Sequence, residues 1–233
     1  QGQVEYGGIM IQYSVFHVDR KTLEIAVLPD CKVVIKAPLS TDIKEIQKRI
    51  GKRARWILKQ QAYFAQFMPR TPPNRYIGGE THLYLGRQYR LKIQLGIQDE
   101  VKLTRGFFWL TCKGTMSTEK VKGILEKWYI QKCKEKFIES LEHCFQEFKR
   151  FGLEKPALQI RKMNKRWGSL SKQGTLTLNT DLIRAPRECI DYVITHELCH
   201  LKYHDHSSDF YQFLERIMPD WERRKHKLEL ALV

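Results

Sequence analysis

No Cys-x-x-Cys pair, no secreted-type cysteine framework and no apolar run long enough to cross a bilayer occurs in this 233-residue chain. Nor does it open on a charged-then-apolar leader with a cleavage site. The six cysteines (Cys31, Cys112, Cys133, Cys144, Cys189 and Cys199) are scattered. Cys133 and Cys144 fall at helical spacing among apolar residues and read as small core hydrophobes. These absences exclude a disulfide scaffold and a membrane-spanning helix, and the expectation is a cytoplasmic protein in a reducing compartment. There is no internal repeat and no low-complexity segment. Acidic residues are scarce beside basic ones, 26 against 41, which gives a formal net charge of +15. Such an excess favours anionic partners: nucleic acid, nucleotides or an anionic surface. A hydrophobic fraction of 42% leaves ample material for a core, in one large domain or two small ones.

What the chain does contain is His196-Glu197-Leu198-Cys199-His200, followed six residues later by His206. Two histidines four apart on an α-helix lie on one face, one turn apart, so both imidazoles can reach a single metal ion. Glu197 projects beside that face, within reach of a water at the metal. Pro186 suits the first turn of a helix, and Ile190, Ile194, Leu198 and Leu201 form an apolar stripe on its far side. The spacing therefore predicts a helix that buries its aliphatic face and turns both histidines into a cleft. A third ligand must come from beyond the helix. His206 has the spacing of the long His-Glu-x-x-His-x-x-Gly-x-x-His pattern, but Tyr203 stands where that pattern has glycine. His204, and Glu215 or Glu222 on the following helices, are the alternatives. Cys199 points away from the histidine face and reads as a buried spacer. His17, His82, His143 and His226 read as surface or packing residues.

The coarse reading is α+β. Extended segments are expected at Ile9–Val18, Leu23–Leu28 and Lys32–Lys36, with a turn at Pro29-Asp30. Asp42 and Glu45 then open a helix whose apolar face runs from Ile43 to Met68. Lys44, Lys48, Lys52, Arg55 and Lys59 form a second stripe on it, either a solvated surface or a ladder for phosphates. A linker at Pro69–Pro73 leads to strands between His82 and Thr111. Ser117 caps a long helix that Gly152 ends. A hairpin follows, running from Leu158 through the Arg166-Trp167-Gly168-Ser169 turn to Asn179. A hairpin placed before a metal helix can align an extended substrate by backbone hydrogen bonds. Ser207 caps a further helix to Ile217, and Pro219-Asp220 starts the last. The expected partition is a β-rich region with a basic helix at 1–115 and a metallohydrolase domain at 116–233.

The chain resembles the YgjP-like metal-dependent hydrolases, a zinc metallopeptidase family near the SprT-like and WLM domains. The resemblance rests on Arg166-Trp167-Gly168-Ser169, Leu178-Asn179, Ala185-Pro186 and the run from Ile190 through His196-Glu197-Leu198-Cys199-His200-Leu201. It continues at His206-Ser207, Phe210 and Pro219-Asp220-Trp221, and upstream at Gly79-Glu80 and Tyr84-Leu85-Gly86-Arg87. It implies a zincin-like helical core with a hairpin edge behind a β-rich N-terminal region. It also implies zinc on His196, His200 and His206, with Glu197 as general base. Leu170 stands where the family usually has cysteine, and Asp205 where asparagine is common.

The expected activity is zinc-dependent peptide hydrolysis, with Arg166 assisting at the oxyanion if its turn faces the cleft. Two other readings stand beside it. Lys162, Lys165, Arg166 and Lys172 would suit a nucleotide phosphohydrolase. The Lys44–Lys59 face would suit a nucleic-acid-associated protein.

Overall fold

The computed structural model describes residues 1–28, 30–66, 74–164 and 166–232. Pro29, Met68, the Pro69–Pro73 linker and Lys165 lie outside the described residues. Contacts divide the chain into two compact units, Gln1–Pro72 and Pro73–Leu232.

In the first unit, β1 (Gly2–Tyr6), β2 (Ile9–His17), β3 (Glu24–Val27) and β4 (Val33–Ala37) form a sheet of order β1-β2-β4-β3. β2 and β4 run parallel, and the outer pairs are antiparallel. Ile11, Tyr13, Val33, Ile35 and Ala37 alternate onto one face of the sheet and are buried. Helix α1 (Ile43–Ala65) closes that face with Ile46, Ile50, Ala54 and Ile57, spaced by four, four and three residues. Asp42 occupies the N-cap position, but its side chain makes no capping bond.

The second unit repeats this topology. β5 (Thr81–Tyr84), β6 (Arg87–Gly96), β7 (Glu100–Thr104) and β8 (Phe107–Lys113) have the order β5-β6-β8-β7, with β6 parallel to β8. Helix α2 (Thr118–Lys149) follows, opened by Ser117, whose hydroxyl accepts from the Lys120 N–H at 3.3 Å. The recurrence is of strand order and direction, while the residues that fill the two sheets differ. Hence no repeat is visible in the sequence.

Leu91, Phe108 and Leu110 share one core with Val121, Leu125 and Tyr129 of α2, and Phe108 meets the Tyr129 ring at 5.9 Å between centroids. Packing thus joins β5–β8 to the helices that follow residue 115.

The distal half of α2 carries Cys133, Phe137, Leu141, Cys144, Phe145 and Phe148 into the same core, where it packs against α3 (Arg187–Cys199). The three-stranded sheet β10-β11-β9 completes the layer. β9 (Ala157–Arg161) runs parallel to β11 (Thr175–Asn179), and β10 (Gly168–Leu170) is antiparallel to it. A 3₁₀ turn (Thr180–Arg184) links β11 to α3, and α4 (Ser208–Ile217) and α5 (Trp221–Leu232) close the fold. No described helix is long and apolar enough to cross a membrane.

The β5–β6 turn fixes where α3 begins. Leu85 and Gly86 have φ of 48° and 75°, as a two-residue hairpin of the primed type requires. Their N–H groups donate to the Ile183 and Arg184 carbonyls at 3.0 and 2.9 Å. A Cβ on Gly86 would lie 2.6 Å from Pro186 Cγ, so only glycine lets the turn sit against the start of α3. Phe148, fully buried at the end of α2, is a suitable probe of this core. Phe148→Ala should cost about 3–5 kcal/mol in urea unfolding, through lost burial and the cavity it leaves.

Candidate active site

α3 presents His196, Glu197 and His200 because Ile190, Ile194 and Leu198, all fully buried, hold its opposite face in the core. Helical geometry stops at Cys199, and His200 is the C-cap residue. The chain leaves the helix through tightened bonds, His200 N–H to the Glu197 carbonyl at 3.1 Å and Leu201 N–H to the Leu198 carbonyl at 3.0 Å. Tyr203 then donates its N–H to the Cys199 carbonyl at 3.0 Å, and it is not among the residues with positive φ. No glycine is needed at 203 because the chain turns by this overwound exit and not through a left-handed residue.

The exit also orients His200. The Tyr203 carbonyl lies 2.9 Å from His200 Nδ1, so an Nδ1–H donor leaves Nε2 facing the cavity. His206 comes back over the helix end, with its Nε2 at 3.0 Å from His196 Nε2. His196, His200 and His206 each offer a nitrogen within 4.8 Å of the others, and they are the metal-capable cluster among the described residues. His204 lines the same cavity but lies outside that cluster; Glu215 and Glu222 belong to neither. Burial holds His196 at about 4, and the neighbouring imidazoles push the same way. His206 is lowered as well, by burial and by His200. Both rings are therefore neutral at pH 7, with lone pairs free to ligate.

Glu197 is half-buried beside this cluster. Desolvation raises its carboxyl to about 7, against the opposing pull of a hydrogen bond from the Leu170 N–H and of the Arg166 charge. The bond to Leu170 is possible because β10 lies directly on α3. A Cβ on Gly168 would stand 2.8 Å from Glu197 Cγ and 2.9 Å from Val193 Cγ1. β11 occupies one edge of β10, and the other edge borders the site.

The cavity, about 540 Å³, is lined by Arg166, Leu170, Lys172 and Glu197, the three clustered histidines and His204, among others. Lys162 is absent from that lining. Cys199 is fully buried, its thiol pushed up to about 12 by desolvation. His82 is buried in the β5 strand, 3.0 Å from Glu80 Oε2 and remote in the chain from this cluster.

Sequence reasoning named Gly168, Leu170 and Asn179 only within the hairpin and the family resemblance and gave none of them a role at the site. Asn179 is 3% exposed. Its amide donates to the Met163 carbonyl at 2.8 Å and the Arg166 carbonyl at 3.1 Å, while its oxygen accepts from the Asp181 N–H at 3.1 Å. One side chain thus ties the loop ahead of β10 to the turn ahead of α3. The available signal was an asparagine ending an alternating strand, a position that favours local backbone bonding. Asn179→Ala should leave several part-buried partners unmet, at about 1–3 kcal/mol for the worst of them. It should lower the hydrolytic rate at this site more than it changes metal content, a split that parallel metal and rate measurements would reveal.

A family model described as YgjP-like, metallopeptidase domain, matches residues 21–231. The chain belongs to this family. As a YgjP-like member it is a metal-dependent hydrolase of the metallopeptidase kind. Among solved structures it is similar to the metallopeptidase zymogen of Pyrococcus abyssi abylysin, at 32% identity and a TM-score of 0.34, covering 39% of this chain and 87% of that one. It is also similar to the zymogen of Methanocaldococcus jannaschii jannalysin, at 21% identity and a TM-score of 0.37, covering 42% and 90%. No curated protein matches it.

The metal that the YgjP-like family implies fits the residues present. Two neutral imidazoles that face each other through their Nε2 atoms at 3.0 Å can share one hydrogen bond at best. Two nitrogens on a tetrahedral zinc lie about 3.3 Å apart, given Zn–N bonds of about 2.0–2.1 Å. His196 Nδ1 is buried and finds no partner among the described residues, so the ring's placement rests on its other nitrogen.

Proposed function

We propose that this YgjP-like chain is a zinc-dependent peptidase of the His-Glu-x-x-His type, with His196, His200 and His206 as ligands and Glu197 as general base. The observation that carries the reading is the convergence of three imidazole nitrogens within 4.8 Å beside a half-buried carboxylate. Zinc accepts imidazole readily and keeps an open position in catalytic sites. When bound, the ion supplies Lewis acidity to the scissile carbonyl and to a water.

The remaining work falls to the chain itself. The edge of β10 gives an extended peptide backbone partners next to Glu197, so the carbonyl to be attacked is held against the site. Glu197, anchored by the Leu170 N–H, takes the proton of the attacking water and returns it to the departing amide nitrogen. Arg166, in the cavity lining, meets negative charge as it develops on the carbonyl oxygen. Of the described cations named for a nucleotide phosphohydrolase, Arg166 and Lys172 line the cavity and Lys162 does not. The free cysteines, five of the six buried, agree with a reducing, cytoplasmic setting.

Elemental analysis of the purified protein tests the site. We expect about one zinc per chain, lost in both His196→Ala and His206→Ala. Zinc retained without His206 would transfer the third position to His204 or Glu215. No metal after reconstitution would end the reading.

A further inference from the structure

α1 and α2 occupy the same place in two sheets of the same order, yet they carry charge differently. α2 has seven lysines and six glutamates, and Lys122–Glu126, Lys132–Glu135 and Lys136–Glu139 pair along it. That is the ordinary pattern of a solvated helix face. α1 has seven cations, Lys44, Lys48, Arg49, Lys52, Arg53, Arg55 and Lys59, all exposed. Its single carboxylate, Glu45, is held by Arg49 at 2.8 Å. Like charges four apart, as at Lys44, Lys48 and Lys52, repel and weaken a helix. Solubility does not require that arrangement, as α2 demonstrates. A polyanion would compensate it.

A groove beside the cations narrows the choice of polyanion. Leu23, just ahead of the edge strand β3, and Ile25 within it, with Arg49, Lys52, Arg53 and Trp56 of α1, line a cavity of about 350 Å³. Trp56 is 38% exposed there, an indole left open between three cations. Cations alone would serve any anionic chain. An open tryptophan among them serves one that also carries flat aromatic rings, and those rings are free to stack only when unpaired. A run of acidic residues alone lacks the rings, and a duplex hides them.

We propose that the α1–β3 face of the first unit binds single-stranded nucleic acid, with the cations along the phosphates and a base stacked on Trp56 in the groove. From Lys44 to Lys59 the helix is about 22 Å long, enough to track several nucleotides. The proposal is independent of the peptidase reading, because it uses none of the residues of the metal site.

The test is fluorescence anisotropy of a labelled oligo-dT of about 20 nucleotides with the full chain, across a salt series. With four or five phosphates engaged, log K should fall with log salt at a slope of about −3. Lys52→Glu combined with Arg53→Glu should weaken binding at least about tenfold and flatten that slope. Trp56→Ala should weaken binding about tenfold at an unchanged slope, and Trp56→Phe should restore most of it. Melting temperature and zinc content, unchanged in these variants, verify that the fold is intact. Absence of binding at about 50 mM salt overturns the proposal, as does indifference to the variants. Competition by polyglutamate as strong as by oligo-dT would reduce the face to a general polyanion surface. Equal affinity for duplex would remove the stacked base. Either result also rejects it.

Discussion

Glu197→Gln should reduce kcat/KM for peptide hydrolysis by at least about a thousandfold while the metal content equals that of the native chain. Glutamine keeps the shape of the side chain and an oxygen for the Leu170 N–H, so the hairpin and the ligand cluster stay in place. What it loses is the capacity to accept a proton. A variant that retains zinc and turns over at a tenth of the native rate would show that another group moves the proton. Stability supplies a second readout in chelator-treated protein. Burial raises the Glu197 carboxyl from 4.5 to about 7, so the folded state resists its ionisation. Below the unfolded value both states are protonated and there is no penalty. The penalty grows as pH rises from 4.5 and is complete above about 7. The glutamine variant should therefore melt higher than the native chain at pH 8 and no higher at pH 4. A residue that destabilises the empty protein and is needed for turnover shows the trade of stability for function.

Local chemistry explains which parts of this structure were legible in the sequence. Alternation in Ile9–His17 and three-to-four spacing from Ile43 onward are direct signatures of pleat and helix, and both elements stand where they were expected. The His-Glu-x-x-His run was legible for the same reason, since helical geometry alone brings 196 and 200 together. The parallel pairing of β9 with β11 was not, because parallel register comes from tertiary packing and leaves no short-range mark. The exit at Tyr203 was half visible: the missing glycine was plain, but the 3₁₀-like turn that replaces it depends on backbone bonds that any residue can make. The shared topology of the two sheets was hidden, since strand order is set by pairing and the core residues of the two differ. Charge was visible as a total of +15, but its concentration on the exposed face of α1 acquires meaning only beside the paired charges of α2.

Gly168→Ala should cut peptidase kcat by about a hundredfold with little loss of zinc, because its effect falls on geometry and not on ligation. The added methyl would stand 2.8 Å from Glu197 Cγ and 2.9 Å from Val193 Cγ1, distances that real Cβ atoms do not tolerate. Val193 is 4% exposed and packed into the core of the second unit, so it cannot yield without opening that core. Two responses remain. Either the Glu197 side chain swings away from the Leu170 N–H, or β10 lifts from α3. The first displaces the base, and the second moves the edge against which a peptide would lie. Both lower kcat, and overpacking of this kind also costs about 1–3 kcal/mol of stability. KM separates them: a lifted strand raises it, whereas a displaced carboxylate leaves it near the native value. A Gly168→Ala enzyme with native kcat and native melting temperature would mean that β10 does not rest on Glu197 in solution. The close approach of hairpin and helix, on which the proposed placement of the base depends, would then fall with it.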